Sequence, residues 1–99
     1  MSARITTDPA TIAAFCQRHH IRKLALFGSV LRDDFRPDSD VDVLVEFEEG
    51  HVPGLAFFDM ERELGEILGR KVDLNTPQFL SSRIRDRVQN EAEVQYFAS

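Results

Sequence analysis

Hydrophobic residues recur every three or four positions in three parts of the chain, and this spacing predicts three helices. The first runs from about residue 9 to residue 19 behind an Asp-Pro pair, which is a helix-start signal. The second carries a broad apolar stripe over 55–68 and is closed by Gly69 as a carboxyl-terminal cap. The third follows Ser81 or Ser82, and its narrow apolar stripe consists of Ile84, Val88, Ala92 and Tyr96.

Short apolar runs rich in β-branched residues predict three strands, KLALF at 23–27, VDVLVEF at 41–47 and KVDLN at 71–75. A full helix separates the second strand from the third, which is the connection that a parallel pair needs. The first and second strands are joined by a polar stretch that is short for a parallel crossover, so we expect them to be antiparallel. The predicted fold class is therefore α/β, a small mixed sheet with helices packed on it.

Composition and charge bound the classes of function. The 99 residues, 42% of them hydrophobic, are enough for one compact domain, so we expect residues 1–99 to form one domain. The formal charge of -5 repels nucleic acid phosphates, which argues against direct binding of DNA or RNA. Cys16 has no partner for an internal disulfide, the N-terminus MSARITTDPA has no apolar core of signal-peptide length, and no apolar run approaches the length of a membrane span. These features predict a soluble, cytoplasmic protein that contacts no membrane.

Polar residues interrupt the buried pattern where the first two strands end and begin. Gly28 and Ser29 follow the first strand, and Asp40 and Asp42 lie at the start of the second. Because strand side chains alternate between faces, both carboxylates point the same way and the intervening valines point into the core. Asp73, in the third strand, completes a set of three carboxylates if the second and third strands are neighbours.

Clustered carboxylates repel one another, and a hard divalent cation such as Mg²⁺ relieves that repulsion while binding phosphate oxygens. Two such ions can clamp the attacking and leaving oxygens of a phosphoryl displacement. Gly28 allows a close backbone approach, and Ser29 offers an amide and a hydroxyl to a phosphate. Taken singly, these residues are typical of a turn or a solvated strand edge, but their combination favours metal and phosphate chemistry.

The run LFGSVLRDDFRPDSDVDVLVEF carries the spacing G-S-x10-D-x-D and resembles the minimal nucleotidyltransferases of the DNA polymerase beta superfamily over nearly all of the chain. The resemblance implies that Asp40 and Asp42 bind two Mg²⁺ ions. Asp73 stands where the family has its third carboxylate, which binds the catalytic ion and helps to deprotonate the acceptor hydroxyl.

The same resemblance assigns the nucleotide contacts. Gly28 and Ser29 would hold the outer phosphates of the nucleotide, and Arg32 would be a further phosphate contact. Many relatives have glycine where this chain has Asp33, which departs from the pattern beside that arginine. The implied reaction is attack by an acceptor hydroxyl on the α-phosphorus of a nucleoside triphosphate, with ATP as the expected substrate.

The resemblance also suggests an acceptor. Similar minimal nucleotidyltransferases are antitoxins of HEPN-domain ribonuclease toxins and transfer AMP from ATP to a tyrosine of the toxin, which implies a hetero-oligomer with such a partner. Two alternatives stay open. One is a non-catalytic antitoxin that neutralises its partner by occlusion, and the other is a nucleotidyltransferase that acts on a small molecule.

The remaining polar residues have more ordinary interpretations. His19 and His20 are expected to interact with the carbonyl groups at the end of the first helix. His51 has no Cys or second His at ligand spacing in the sequence, which argues against a zinc site. A third set is typical of a solvated helix face or of contact with an acidic patch on another chain, namely Arg83, Arg85 and Arg87.

Overall fold

The computed structural model describes residues 7–31, 36, 39–51, 53–77 and 80–98, and of Ser29 it describes only the backbone. Within these residues, the order of elements is α1 (Pro9–Arg18), β1 (Ile21–Phe27), a short 3₁₀ helix (Gly28–Leu31), β2 (Val41–Phe47), α2 (Ala56–Leu68), β3 (Val72–Asn75), α3 (Ser82–Glu91) and β4 (Glu93–Phe97).

The strands form one mixed sheet in the order β3-β2-β1-β4. β1 is antiparallel to both of its neighbours, and β2 is parallel to β3. The predicted fold class and the predicted directions of the first three strands are therefore confirmed. Helix α2 makes the connection between the two parallel strands, as its position in the sequence required.

The helix ends follow the capping residues that the sequence offers. Asp8 caps α1, because its carboxylate accepts hydrogen bonds from the amide of Ala10 at 3.2 Å and from the hydroxyl of Thr11 at 2.7 Å. Gly69 adopts the left-handed conformation and ends α2. Of the two candidate caps for α3, Ser81 has that role and accepts from the amide of Ile84.

The carboxyl end of the third predicted helix is wrong, because that helix ends at Glu91 and a fourth strand follows it. Ala92 has extended backbone angles, and Tyr96 lies in β4, opposite Leu24 of β1. The apolar spacing that suggests a longer helix also suits an alternating strand. Pairing with β1 supplies backbone partners along an edge that would otherwise be open, so tertiary context decides between the two.

The sheet buries a different set of residues on each face. On one face, alternate side chains of β1, β2 and β3 pack with α1 and α2 around a core that includes Phe15, Leu24, Val43 and Leu64. Ala25 and Leu44 are also buried, and by strand alternation they point to the opposite face, where α3 supplies Val88. No helix in the described part of the chain is both long enough and apolar enough to span a bilayer.

Candidate active site

Asp42 lies near the beginning of β2, between β1 and β3, on the face of the sheet opposite the α1 and α2 core. Its cross-strand partner in β1 is Phe27, and its partner in β3 is Asp73. Side chains of directly paired residues point to the same face of a sheet, so the carboxylates of Asp42 and Asp73 share a face. The parallel register thus brings together two acidic residues that are far apart in the sequence.

Asp40 lies just before β2, two positions from Asp42, and its side chain is exposed. Val41 and Val43 are fully buried on the core face, which is the alternation that the sequence predicts. The amide of Val41 donates to the carbonyl of Lys71 at 2.9 Å. This hydrogen bond begins the pairing of β2 with β3 and sets the acidic end of β2 beside that of β3.

Strand β3 is held on its other side by helix α2. The amide of Leu74 donates to the carboxylate of Glu61 at 2.8 Å. A hydrogen bond to a charged acceptor is stronger than one between neutral groups, and here it replaces a strand partner for β3. The position of Asp73, one residue earlier, is therefore fixed from both sides of the strand.

Gly28, the first residue after β1, has a φ of +77°. A Cβ built on Gly28 would lie 2.3 Å from the Oδ2 atom of Asp42, which is closer than real Cβ contacts come. Residue 28 therefore needs to be glycine both for its backbone conformation and for the space that Asp42 occupies. Ser29 belongs to the 3₁₀ helix by its backbone, but its side chain, like all of Arg32, lies outside the described residues.

A cleft of about 410 Å³ opens beside Gly28 and Asp42, and helix α3 forms its other wall. Two arginines one helical turn apart, Arg83 and Arg87, line it together with Phe27, Ile84, Val88 and Glu91. The carboxylate of Asp42 therefore shares one concave surface with two guanidinium groups. Such a surface suits an anionic ligand that also carries a cation.

These two arginines were not predicted as site residues, because the sequence alone places all three arginines of α3 in one class. The structure separates them. Arg85 donates to the carbonyls of Pro77 at 2.7 Å and Leu80 at 3.1 Å, so it fixes the chain before α3. The sequence does contain one indication of this difference. Arg83 and Arg87 are four residues apart, which places both on one side of the helix.

The three aspartates supply only oxygen atoms as ligands, which is the donor set that Mg²⁺ prefers. In the described part of the chain, however, a different group of metal-ligand side chains lies close together. Its members are His20, Glu48 and His51, whose ligand atoms are within 4.8 Å of one another. Asp40, Asp42 and Asp73 are not gathered as tightly as that group. Their oxygen ligands fit a hard cation.

Known proteins resemble this chain over most of its length. The sequence profile of the family described as Nucleotidyltransferase domain matches residues 10–94. Protein adenylyltransferase MntA of Thermococcus cleftensis is 41% identical over 76 residues, which are 76% of this chain and 75% of the relative.

Solved structures share the fold. A protein provisionally described as a minimal nucleotidyltransferase is 37% identical, with a TM-score of 0.71 over 85% of each chain. A chain from the complex of a tri-AMPylated Shewanella oneidensis HEPN toxin with an MNT antitoxin is 18% identical, with a TM-score of 0.66 over 91% of this chain and 70% of that one. The profile match over residues 10–94 and the sequence identity show that this chain belongs to the nucleotidyltransferase domain family.

Proposed function

We propose that this chain is a Mg²⁺-dependent protein adenylyltransferase that moves AMP from ATP onto a tyrosine hydroxyl of a HEPN ribonuclease toxin, and so acts as its antitoxin. The observation that carries the proposal is the cleft in which Asp42 and Gly28 face Arg83 and Arg87. The name of the 41% identical relative and the AMPylated toxin in the complex that shares the fold both support this acceptor class.

In this proposal Asp40, Asp42 and Asp73 hold the metal. Bound Mg²⁺ supplies positive charge that offsets the charge developing on the phosphoryl oxygens and stabilises the deprotonated acceptor oxygen. The carboxylates of Asp42 and Asp73 share one face of the sheet, and together with Asp40 they would be the residues that hold the metal.

The remaining side chains of the cleft bind and orient the nucleotide. Arg83 and Arg87 donate hydrogen bonds to the outer phosphates, and the backbone amides after Gly28 approach the same phosphates. The acceptor oxygen forms a bond to the α-phosphorus, the bond from that phosphorus to the bridging oxygen breaks, and pyrophosphate leaves. In this proposal Asp73, whose side chain is exposed, receives the hydroxyl proton.

The charge of the chain favours a protein acceptor over a nucleic acid. With a formal charge of -5, its overall field opposes the approach of a polyanion that has no other means of attachment. A folded partner can present a single hydroxyl at the cleft and form a lasting hetero-complex. A cytoplasmic location, where ATP and Mg²⁺ are both available, is part of the same proposal.

The experiment is to incubate wild-type protein with α-labelled ATP, Mg²⁺ and a lysate of its host, and then to find where the label lands. Asp42→Asn is the inactive variant. Asp59→Asn is the matched control, because Asp59 is an exposed acid of α2 away from the cleft. Label on one protein band with wild type and Asp59→Asn, absent with Asp42→Asn, supports the proposal and isolates the partner for intact-mass measurement.

Other outcomes identify the alternatives. Label in a small molecule would replace the protein acceptor by a small-molecule one. If no label transfers, and the double variant Asp40→Asn/Asp42→Asn still neutralises the partner in cells, the chain acts by occlusion and the catalytic proposal is wrong.

A further inference from the structure

His20, Glu48 and His51 converge where β1 begins and β2 ends, at the opposite end of these two strands from the candidate active site. Each offers a ligand atom within 4.8 Å of the other two, and all three side chains are exposed. The imidazole rings of His20 and His51 are stacked, with centroids 4.0 Å apart and planes inclined by 14°. Small side-chain rotations would therefore bring two ring nitrogens and one carboxylate oxygen to a common point.

Backbone hydrogen bonds hold the three residues together independently of their side chains. The amide of Glu48 donates to the carbonyl of His20 at 2.8 Å, and the amide of His51 donates to the carbonyl of Glu48 at 3.0 Å. The loop after β2 is thus attached to the turn between α1 and β1. A site whose ligands are connected in this way loses little conformational freedom when an ion binds.

His20 is the one non-glycine residue in the described part of the chain with a positive φ, at 57°. That conformation costs an L-residue free energy, and such residues are found where the surrounding structure or a function requires them. Here the left-handed turn is what directs His20 toward His51. Histidine, like Asn and Asp, is found in this conformation more often than other non-glycine residues are, so the turn is compatible with histidine at residue 20.

The prediction against a zinc site rested on the absence of a second His or Cys near His51 along the chain. In the folded chain a second histidine, His20, lies beside His51. β1 and β2 are antiparallel, so the residue before β1 and the residues after β2 meet at the same end of the pair. The second imidazole, that of His20, comes from the turn between α1 and β1. The spacing of residues along the sequence does not reveal this contact.

We propose that His20, Glu48 and His51 form a binding site for one divalent transition-metal ion, with Zn²⁺ as the reference ion. Two imidazole nitrogens and one carboxylate oxygen suit Zn²⁺ and exclude Mg²⁺ as the preferred ion. A cavity of about 300 Å³ lined by both histidines and by Pro53 leaves room for a water molecule as fourth ligand.

The surrounding charges permit a cation. Arg18, which lines the same cavity, forms an ion pair with Glu63, and that carboxylate also contacts His19 at 2.9 Å. The positive charge of this arginine is therefore already balanced. Glu49, an exposed neighbour in the loop, adds further negative charge to this end of the molecule.

This site is separate from the proposed Mg²⁺ site, and it does not rest on the proposed function. β1 and β2 each have seven residues and connect the two ends of the sheet. A strand of that length spans on the order of 20 Å. A bound ion would fasten the loop after β2 to the end of α1 and so stabilise that end of the fold.

The test is a calorimetric titration of the whole chain with Zn²⁺ in the presence of excess Mg²⁺, followed by thermal unfolding with and without Zn²⁺. We expect one equivalent of Zn²⁺ to bind and to raise the unfolding temperature. His20→Asn, which suits the left-handed backbone, and His51→Gln should each weaken binding by at least about tenfold. His19→Gln is the matched control and should bind Zn²⁺ as wild type does, because His19 contacts Glu63 instead.

A second comparison separates the two metal sites. Asp42→Asn should leave the Zn²⁺ titration unchanged, and side-chain NMR should show Zn²⁺ perturbing the rings of His20 and His51 but not that of His19. The proposal is overturned if the double variant His20→Asn/His51→Gln binds Zn²⁺ as tightly as wild type, or if binding is lost in Asp42→Asn. Circular dichroism of each variant confirms that a loss of binding is not a loss of folding.

Discussion

Asp42 and Gly28 are structurally interdependent, because the Oδ2 atom of Asp42 lies 2.3 Å from where a Cβ of residue 28 would be. The glycine that the sequence suggests for phosphate approach is thus also required by the neighbouring carboxylate. Any side chain at residue 28 must displace the acid that the proposed chemistry uses. Substitutions at this glycine therefore test the packing and the chemistry together.

We expect Gly28→Ala to destabilise the fold by about 2 kcal/mol or more, since it adds a clash to an unfavourable backbone conformation. Displacing Asp42 should also lower adenylyl transfer by roughly 100-fold. Gly54→Ala is the control, because Gly54 also has a positive φ but a Cβ added there would meet nothing within 4 Å. Urea unfolding and labelled-ATP assays measure both effects, and equal losses in the two variants would contradict the role of the clash.

Replacing Arg83 or Arg87 by alanine should raise the KM for ATP by roughly 10- to 100-fold, because each loses charged hydrogen bonds to phosphate. The unfolding temperature should change little, since both arginines are exposed. Arg62→Ala, which replaces an arginine of α2 on the surface, serves as the control. Arg85→Ala should behave in the opposite way, lowering stability through the lost carbonyl contacts while leaving the KM near that of wild type.

Mg²⁺ and ATP together should stabilise the wild-type chain against heat. A ligand at 100 times its Kd stabilises the native state by about 2.7 kcal/mol, which corresponds to a rise of roughly 10 °C or more in a domain of this size. The double variant Asp40→Asn/Asp42→Asn should lose most of that rise, and Asp59→Asn should keep it. Removing Mg²⁺ with a chelator should have the same effect on wild type as the double substitution, and an undiminished rise in both cases would argue against an acidic metal site.

Cys16 gives a prediction about pH. Burial raises the pKa of the Cys16 thiol from 9.0 to about 12. The unfolded chain therefore loses this proton at lower pH than the folded chain does. Titration of Cys16 leaves the free energy of unfolding unchanged below about pH 9 and lowers it between pH 9 and 12. The loss should be up to about 1.4 kcal/mol per pH unit in that window.

The check is urea unfolding at pH 8 and pH 10 for wild type and Cys16→Ala. The substitution removes the thiol, so the stability of the variant should fall less over this interval than that of wild type. A native thiol that reacts with alkylating reagents at pH 8 as fast as an unfolded one would contradict the burial of Cys16.

The strands that position the three aspartates could be predicted from the sequence because the signals are local. Alternating valines mark β2, and the length of each connection decides whether neighbouring strands are parallel or antiparallel. Asp42 and Asp73 then become neighbours by register alone. The roles of these residues in metal and nucleotide binding remain predictions.

Other features depend on contacts between distant parts of the chain and left no local signal. β4 forms because β1 has an open edge, which overrides the helical spacing that includes Ala92 and Tyr96. Arg83 and Arg87 line a cleft only because α3 lies beside Phe27, Gly28 and Asp42. His20 and His51 meet only because β1 and β2 are antiparallel.

The central position of β1 also constrains how the chain is made in the cell. The partner of β1 on one side, β2, follows soon after it, whereas its partner on the other side, β4, is translated only after all the other strands. A chain that lacks β4 would therefore present the unpaired amides and carbonyls of β1 along one side of the sheet, and an edge of that kind can recruit a strand from another chain. Ribosomes that stall before β4 would release a product prone to aggregation, even though every proposed ligand of Mg²⁺ had already been synthesised.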